Sequence, residues 1–352
     1  MSDRHPRWPV TRRRFAISGL GLGAALAAAS AVGLGALPAR AAEPVDVVAS
    51  FSILGDLVKQ VGGDAVDVHT IVGPNIDMHT YQLAPGDSKK LLGAKLVVIN
   101  GLGLEGWADR LIEASGYKGK VVVATTGVKP LARPAAADDD DEDEHHAAGD
   151  HDHDADHDAD HDADHEAHGH HHHGPNDPHA WQSVANVKIF VANIRDGLAA
   201  VDPVRADAYR SNADAYLKKL DALDREIRAA FAPIPKERRR VITSHQAFRY
   251  YGADYDVTFY GAHGVGGDSE PDAKSVAALI RQIRHDKIGA IFFENVAGER
   301  LLERIAKETK AKVGGTLYSD ALSAADGPAA TYVDLMRTNT TSITTALRAA
   351  GG

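Results

Sequence analysis

The 352-residue chain contains no cysteine. Disulfides are therefore excluded, and so is any thiolate metal site: a transition metal would have to be held by imidazole and carboxylate. Nor is there a cysteine to carry a lipid. The sequence His-Glu-x-x-His, the local signature of many zinc hydrolases, is also missing. An excess of basic charge is lacking too. The formal net charge is −10, but residues 138–166 hold 16 acids with no Lys or Arg, and residues 1–41 hold six Arg and one Asp. With these two segments set aside the body is nearly neutral, and nothing in it suggests a nucleic-acid surface.

The first 41 residues read as an address. Thr11-Arg12-Arg13-Arg14-Phe15 precedes a mild Gly/Ala-rich apolar run from Ala16 to Pro38, and Ala39-Arg40-Ala41 fits a small-residue cleavage site. The pattern resembles a twin-arginine export signal, so a periplasmic protein cleaved near Ala41 is expected. The alternative is an uncleaved anchor, since the run is long enough to span a membrane.

Beyond the leader, short apolar runs alternate with helical periodicity. Strands are expected at Val45–Ala49, Val66–Val72, Leu96–Ile99 and Val121–Ala124. Helices are expected from Ser52, with Ser52 as a possible cap, from Pro85, and near Glu105–Ala114. A second set of strands is expected at Val241–Ser244, Val257–Tyr260, Ala290–Phe293 and Val313–Leu317. These alternate with helices over Ala273–Arg284 (capped by Asp272 or Ser269), Glu299–Thr309 and Ala329–Leu347. Between the sets lie a helical stretch from Val184 and a longer one from Pro203 to Phe231, about 40 Å at ~1.5 Å per residue. The reading is α/β: two similar lobes with mostly parallel four-stranded sheets, an N-terminal lobe over 42–202, a rigid connecting helix over 203–235 and a C-terminal lobe over 236–352. A tract over about 134–175 interrupts the first lobe. Its 12 His stand among Asp, Glu, Ala and Gly, so it cannot form a core, and disorder is expected there without ligand.

Four residues occupy equivalent points of this plan. His79 follows the second strand of the first lobe and His179 follows the fourth. His245 directly follows the first strand of the second lobe, and Asp320 lies just past its fourth. Ligands in open α/β sheets bind beyond the carboxyl ends of the strands, so two facing lobes would let all four converge. Three neutral imidazoles and one carboxylate suit tetrahedral Zn²⁺, whereas Mn²⁺ prefers more oxygen. With every position filled by protein, no site is left for a reactive water, and binding with release, not catalysis, is the expected task. Glu294 also ends a strand at the cleft. It competes with Asp320 for the oxygen position, or else accepts a hydrogen bond that orients a His ring. His69 and His285 are expected to be structural, and a cleft role for His263 stays open.

Several stretches together resemble the cluster A-I metal-binding solute-binding proteins of ABC transporters, particularly the zinc-loading type with a His-rich loop. They are Asp77–Asp87, Asn176–Trp181, Thr243–Phe248, Asp268–Pro271, and Leu317–Leu322 with Gly327–Asn339. The resemblance implies two lobes joined by a long helix, with a metal buried between them. It implies His79, His179 and His245 as nitrogen ligands and Asp320 as the oxygen ligand. It also implies delivery to a membrane permease driven by an ATPase. Manganese-preferring relatives tend to carry a carboxylate at the third position, so His245 favours zinc. The sequence departs from the family pattern at Gly261-Ala262-His263, where Ala-Pro-Gln is more usual.

The His/Asp tract reads either as a solvated acidic insertion or as a set of weak zinc sites that collect metal near the cleft. A monomer is expected, with a metallochaperone as a further candidate partner. The rival functions are a periplasmic zinc buffer or chaperone with no transporter, a manganese-binding member of the same family, and a zinc hydrolase with Glu294 as its base.

Overall fold

The computed structural model describes residues 43–133, 174–262, 273–296, 300–309 and 311–350. The leader with its expected cleavage at Ala41, the tract 134–173, His263 and the expected caps Ser269 and Asp272 lie outside the described residues.

The N-terminal lobe alternates β1 (Val45–Phe51), α1 (Ser52–Gly62), β2 (Val66–Val72), α2 (Pro85–Gly93), β3 (Leu96–Ile99), α3 (Ala108–Ser115) and β4 (Lys120–Val123). After α4 (Val184–Val201) and α5 (Ala206–Phe231), the C-terminal lobe repeats the plan. It contains β5 (Arg240–Thr243), α6 (Arg249–Tyr255), β6 (Thr258–Gly261), α7 (Ala273–Asp286), β7 (Ala290–Glu294), α8 (Arg300–Thr309), β8 (Lys312–Leu317) and α9 (Tyr332–Ala349). Each lobe holds one all-parallel sheet, in the orders β2-β1-β3-β4 and β6-β5-β7-β8. The expected α/β architecture of two four-stranded lobes is therefore present.

The inner strands are buried on both faces, which is why Val47-Val48-Ala49 and Leu96-Val97-Val98 read as unbroken apolar runs. α5 buries the stripe Tyr209, Ala213, Tyr216, Leu220, Leu223, Ile227 and Phe231. Along its length α5 touches both lobes. Asn212 donates to Val61 O of α1 at 3.0 Å, and Glu226 takes a two-pronged contact from Arg337 of α9 at 2.8 and 3.1 Å. One continuous core runs from Val47 and Leu54 through the α5 stripe to Phe248, Tyr251, Phe292, Leu317 and Leu335. A smaller cluster that includes Ile242, Ile280, Ile291, Leu302 and Ile305 covers the other face of the second sheet.

The structure differs from the sequence reading in local details. Ser52 does not cap α1: Phe51 holds the cap position, and the Ser52 hydroxyl instead accepts from Leu322 N in the other lobe at 3.0 Å. α6 is not legible in the sequence, because Arg249-Tyr250-Tyr251-Gly252 has little helix propensity. Burial of Tyr250, Tyr251 and Tyr255 in the shared core overrides that preference. The helix expected from Pro203 starts with a 3₁₀ turn, Pro203–Arg205, before α5 begins. In β8 the register against β7 shifts at Gly314-Gly315. A Cβ on Gly314 would come within 2.4 Å of the Phe292 ring, and Gly315 has φ of 111°, so the bulge needs both glycines.

Arg239 closes the junction of α5 with β5. It is buried, and its guanidinium donates to Phe231 O, Ile234 O and Tyr255 O at 2.9–3.0 Å while lying over the Phe231 ring. Arg239→Met should strand the Ile234 and Tyr255 carbonyls and lower unfolding free energy by about 2–4 kcal/mol, measured by urea denaturation of the metal-free protein.

Candidate metal centre

The three candidate histidines are each oriented by a carboxylate beside them. After β2 the chain turns through Gly73–Asn75. Asp77 then accepts from His79 N at 2.9 Å and from the Thr80 hydroxyl at 3.1 Å, a compact Asx turn that presents the His79 ring. Before α4, Asp177 Oδ1 accepts from His179 N at 3.1 Å and lies 2.9 Å from His179 Nδ1. Its other oxygen meets Arg249 at 3.3 Å. The preceding carbonyl, Pro178 O, accepts from Asn100 Nδ2 at 3.0 Å. Asn100 is fixed in turn by buried Glu105, which takes bonds from Ser50, Asn100 N and Gly101 N at 2.6–3.0 Å. Beyond β5, Glu294 receives His245 N at 2.9 Å with one oxygen and faces His245 Nδ1 at 2.7 Å with the other.

These turns bring all four side chains together, with one ligating atom from each within 4.8 Å of the others. His79 Nε2 stands 3.2 Å from His179 Nε2. Asp320 lies 3.1 Å from His245 Nε2 and 3.5 Å from the Nε2 atoms of His79 and His179. Four donors at the ~2.0–2.1 Å of zinc–nitrogen bonds would stand about 3.3–3.4 Å apart in a tetrahedron, close to these separations. The His79 imidazole is 2% exposed, and Asp320 is fully buried. Neither Asp320 oxygen has a well-directed hydrogen-bond donor. A buried carboxylate ringed by imidazole nitrogens is costly unless a positive charge lies beside it, and the arrangement could hold a cation.

Glu294 does not join the set. It orients the His245 ring from behind, the second of the two roles open to it in the sequence. Asp177 does the same for His179 and was not foreseen. The Asp-x-His spacing of Asp177-Pro178-His179 is the signal that could have revealed it. His69 is exposed in β2 near Asp67, and His285 pairs with Asp286 at the end of α7, both away from the four.

Charge divides the three imidazoles. Burial presses the His179 pKa down, and the neighbouring carboxylates only partly offset this, so its net shift is downward. Burial presses on His245 as well, but Glu294 and Asp320 outweigh it and raise its pKa well above the ordinary imidazole value. Burial would raise Asp320; the charges on His245 and His179 outweigh it and hold the carboxyl well below its usual range.

The chain matches the family model described as zinc-uptake complex component A, periplasmic, over residues 47–346. It belongs to this family. Its members are metal-binding components of ABC transporters and not enzymes, and this holds for the present chain. The iron-binding protein YfeA of Yersinia pestis is 31% identical over 85% of each chain. The manganese-binding lipoprotein MntA of Bacillus subtilis is 29% identical over 87% of this chain and 90% of its own. Among solved structures, a manganese-bound periplasmic metal-binding protein from Candidatus Liberibacter asiaticus superposes with a TM-score of 0.69 at 29% identity. The match covers 86% of this chain and 99% of that one. The periplasmic zinc-binding protein TroA of Treponema pallidum gives a TM-score of 0.72 at 25% identity, with the same coverage. Family membership and fold thus agree, while the relatives' metals differ.

Because Glu294 and Asp320 raise the His245 pKa, its protonated form is favoured in the metal-free protein, and a metal at Nε2 would displace that proton. Loading at pH 7 should release about one proton, and apparent affinity should climb up to about tenfold per pH unit until the raised pKa is passed. Calorimetry in buffers of different ionisation heat reads the proton count. Glu294→Gln removes the charge that raises His245 and should reduce the release. In the metal-free protein, the His245 contribution to stability is complete below about pH 6.5 and is lost as pH rises through the raised value. The Asp320 contribution is present above its unfolded pKa, about 3.9, and is lost as pH falls through the depressed value.

Proposed function

We propose that this chain is the extracytoplasmic receptor of a zinc importer. In this reading it captures Zn²⁺ between its lobes with His79, His179, His245 and Asp320, and delivers it to an ABC permease and its ATPase. The observation that carries the choice of metal is the donor set, three imidazole nitrogens to one carboxylate, with the carboxylate 3.1–3.5 Å from all three nitrogens. Manganese favours sites richer in oxygen. The names of the iron- and manganese-binding relatives favour a second reading, a manganese-binding member, which the test below separates. A periplasmic buffer or chaperone working without a transporter is the remaining alternative. In the proposed reading the leader is cleaved near Ala41 and the mature protein is a periplasmic monomer.

The His/Asp tract lies outside the described residues, but its two ends are placed. Arg133 N donates to Pro175 O and Asp177 N to Leu131 O, both at 2.8 Å, and Ala132 pairs with Asn176 as an antiparallel bridge. The tract thus returns to the body a few residues before His179. That position supports a role in supplying metal to the centre from weak sites.

Titration calorimetry with zinc and manganese tests the reading. The intact mature protein should show one tight zinc site plus weak ones, with manganese bound more weakly at the tight site. Removal of residues 138–173 should abolish only the weak sites. His79→Ala or His245→Ala should cost more than the roughly 10- to 100-fold expected for loss of an orienting partner. Tight zinc binding that disappears with the tract would sink the cleft assignment, and manganese bound more tightly than zinc would establish the second reading.

A further inference from the structure

Asp320 sits on a loop that leaves β8 in the C-terminal lobe, yet much of what holds this loop comes from the other lobe. Ser319 O accepts two hydrogen bonds, from Trp181 Nε1 and from Gln182 Nε2, both at 2.8 Å. Leu322 N donates to the Ser52 hydroxyl at 3.0 Å, and Leu322 O accepts from Asn75 N at 2.9 Å. Its own lobe contributes too: Asn339 accepts from Tyr318 N and donates to Tyr318 O, both at 2.8 Å, and Asn295 donates from N to Leu317 O at 3.0 Å and from Nδ2 to Ala321 O at 3.2 Å.

The double acceptor is the informative contact. The Ser319 carbonyl lies in the same rigid peptide plane as the nitrogen of Asp320. With both of its lone pairs engaged, that plane cannot turn, and the Asp320 Cα is fixed. Both donors belong to the one-turn helix Ala180–Gln182, which immediately follows His179. Trp181 and Gln182 are wholly buried. The Trp181 ring packs against the His179 ring at 5.2 Å and against Phe51 at 5.0 Å, and its carbonyl accepts from Tyr332 at 2.8 Å. One turn of chain therefore sets His179 on one side and holds the backbone of Asp320 on the other.

We infer that Trp181 and Gln182 are positioning residues that lock His179 and Asp320 into a ready-made pair before metal arrives. The pair stays together through loading and release, although its members come from different lobes. The inference rests on the reading of the four side chains as a zinc site. It adds that half of that site is preformed by two side chains that never touch the ion.

Trp181→Phe keeps an aromatic ring and removes the donor; Gln182→Met keeps the length and removes the donor. Release of zinc to an excess of chelator, followed by stopped flow, and the visible bands of the Co²⁺-loaded protein are the readouts. Each single variant should speed release by about fivefold and the double variant by about thirtyfold, with altered Co²⁺ bands in the double variant. Tyr209→Phe removes the Tyr209–Asp202 bond at the α4–α5 junction and serves as the stability control. It should lower the unfolding midpoint while leaving release rate and Co²⁺ bands unchanged. Wild-type release rate and spectrum in the double variant would overturn the inference, as would release that tracks the unfolding midpoint across all variants, control included. If the wild-type protein itself holds no tight zinc, the metal reading fails, and that outcome is distinct from either of these. Should Trp181→Phe fold poorly, Gln182→Met alone carries the test.

Discussion

The structure turns on a buried carboxylate that is short of hydrogen-bond donors. Asp320 is fully buried, is ringed by three imidazole nitrogens, and lacks a well-directed donor on either oxygen. A charge in that position is costly unless something cationic sits beside it. In the metal-free protein Glu294 and Asp320 favour the protonated form of His245, which supplies part of that compensation. A divalent ion at the centre would take over that compensation from His245. Glu294 and Asp177 keep two of the rings turned toward the same point through the exchange.

Placing four such groups within a few ångströms requires elements far apart in sequence to be held firmly. Parallel sheets deliver each residue to a carboxyl end, and turn chemistry does the final aiming: Asp77 for His79, Asp177 for His179, Glu294 for His245. Contacts across the lobes are numerous beside the centre. Tyr250 bridges Leu131 N and Asp177 O at 2.9 Å each, and Ser183 donates to Asp254 at 2.6 Å. With α5 along both lobes and a common core beneath them, the arrangement suits small adjustments better than a wide hinge.

Much of this plan was legible in the sequence because it depends on local signals. Apolar runs such as Val45–Ala49 and Leu96–Ile99, the stripe on α5 and the break at Pro203 give the element order. The position of each ligand candidate just past a strand gives the site. The features that were not legible depend on distant partners. α6 exists because three tyrosines find a core built from both lobes. The hydroxyl of Ser52, which looks like a helix cap, is drawn across to Leu322 N. Asp177, Asn100 and Glu105 support His179 through contacts that join β3 to a turn almost eighty residues away. Local patterning says where a chain bends but not which neighbour will meet it there.

The core that extends through both lobes also governs how the molecule comes apart. Tyr216, Leu223 and Phe231 of α5 lie in the same apolar body as Leu54 on one side and Met336 on the other. Neither lobe can expose its half of that body without exposing the other's. Melting should then be a single cooperative transition and not two lobe-by-lobe events. An ion bound at the centre would raise the melting temperature of the whole chain in proportion to the logarithm of its free concentration. A calorimetric scan of this protein would in effect serve as a meter for the metal it carries.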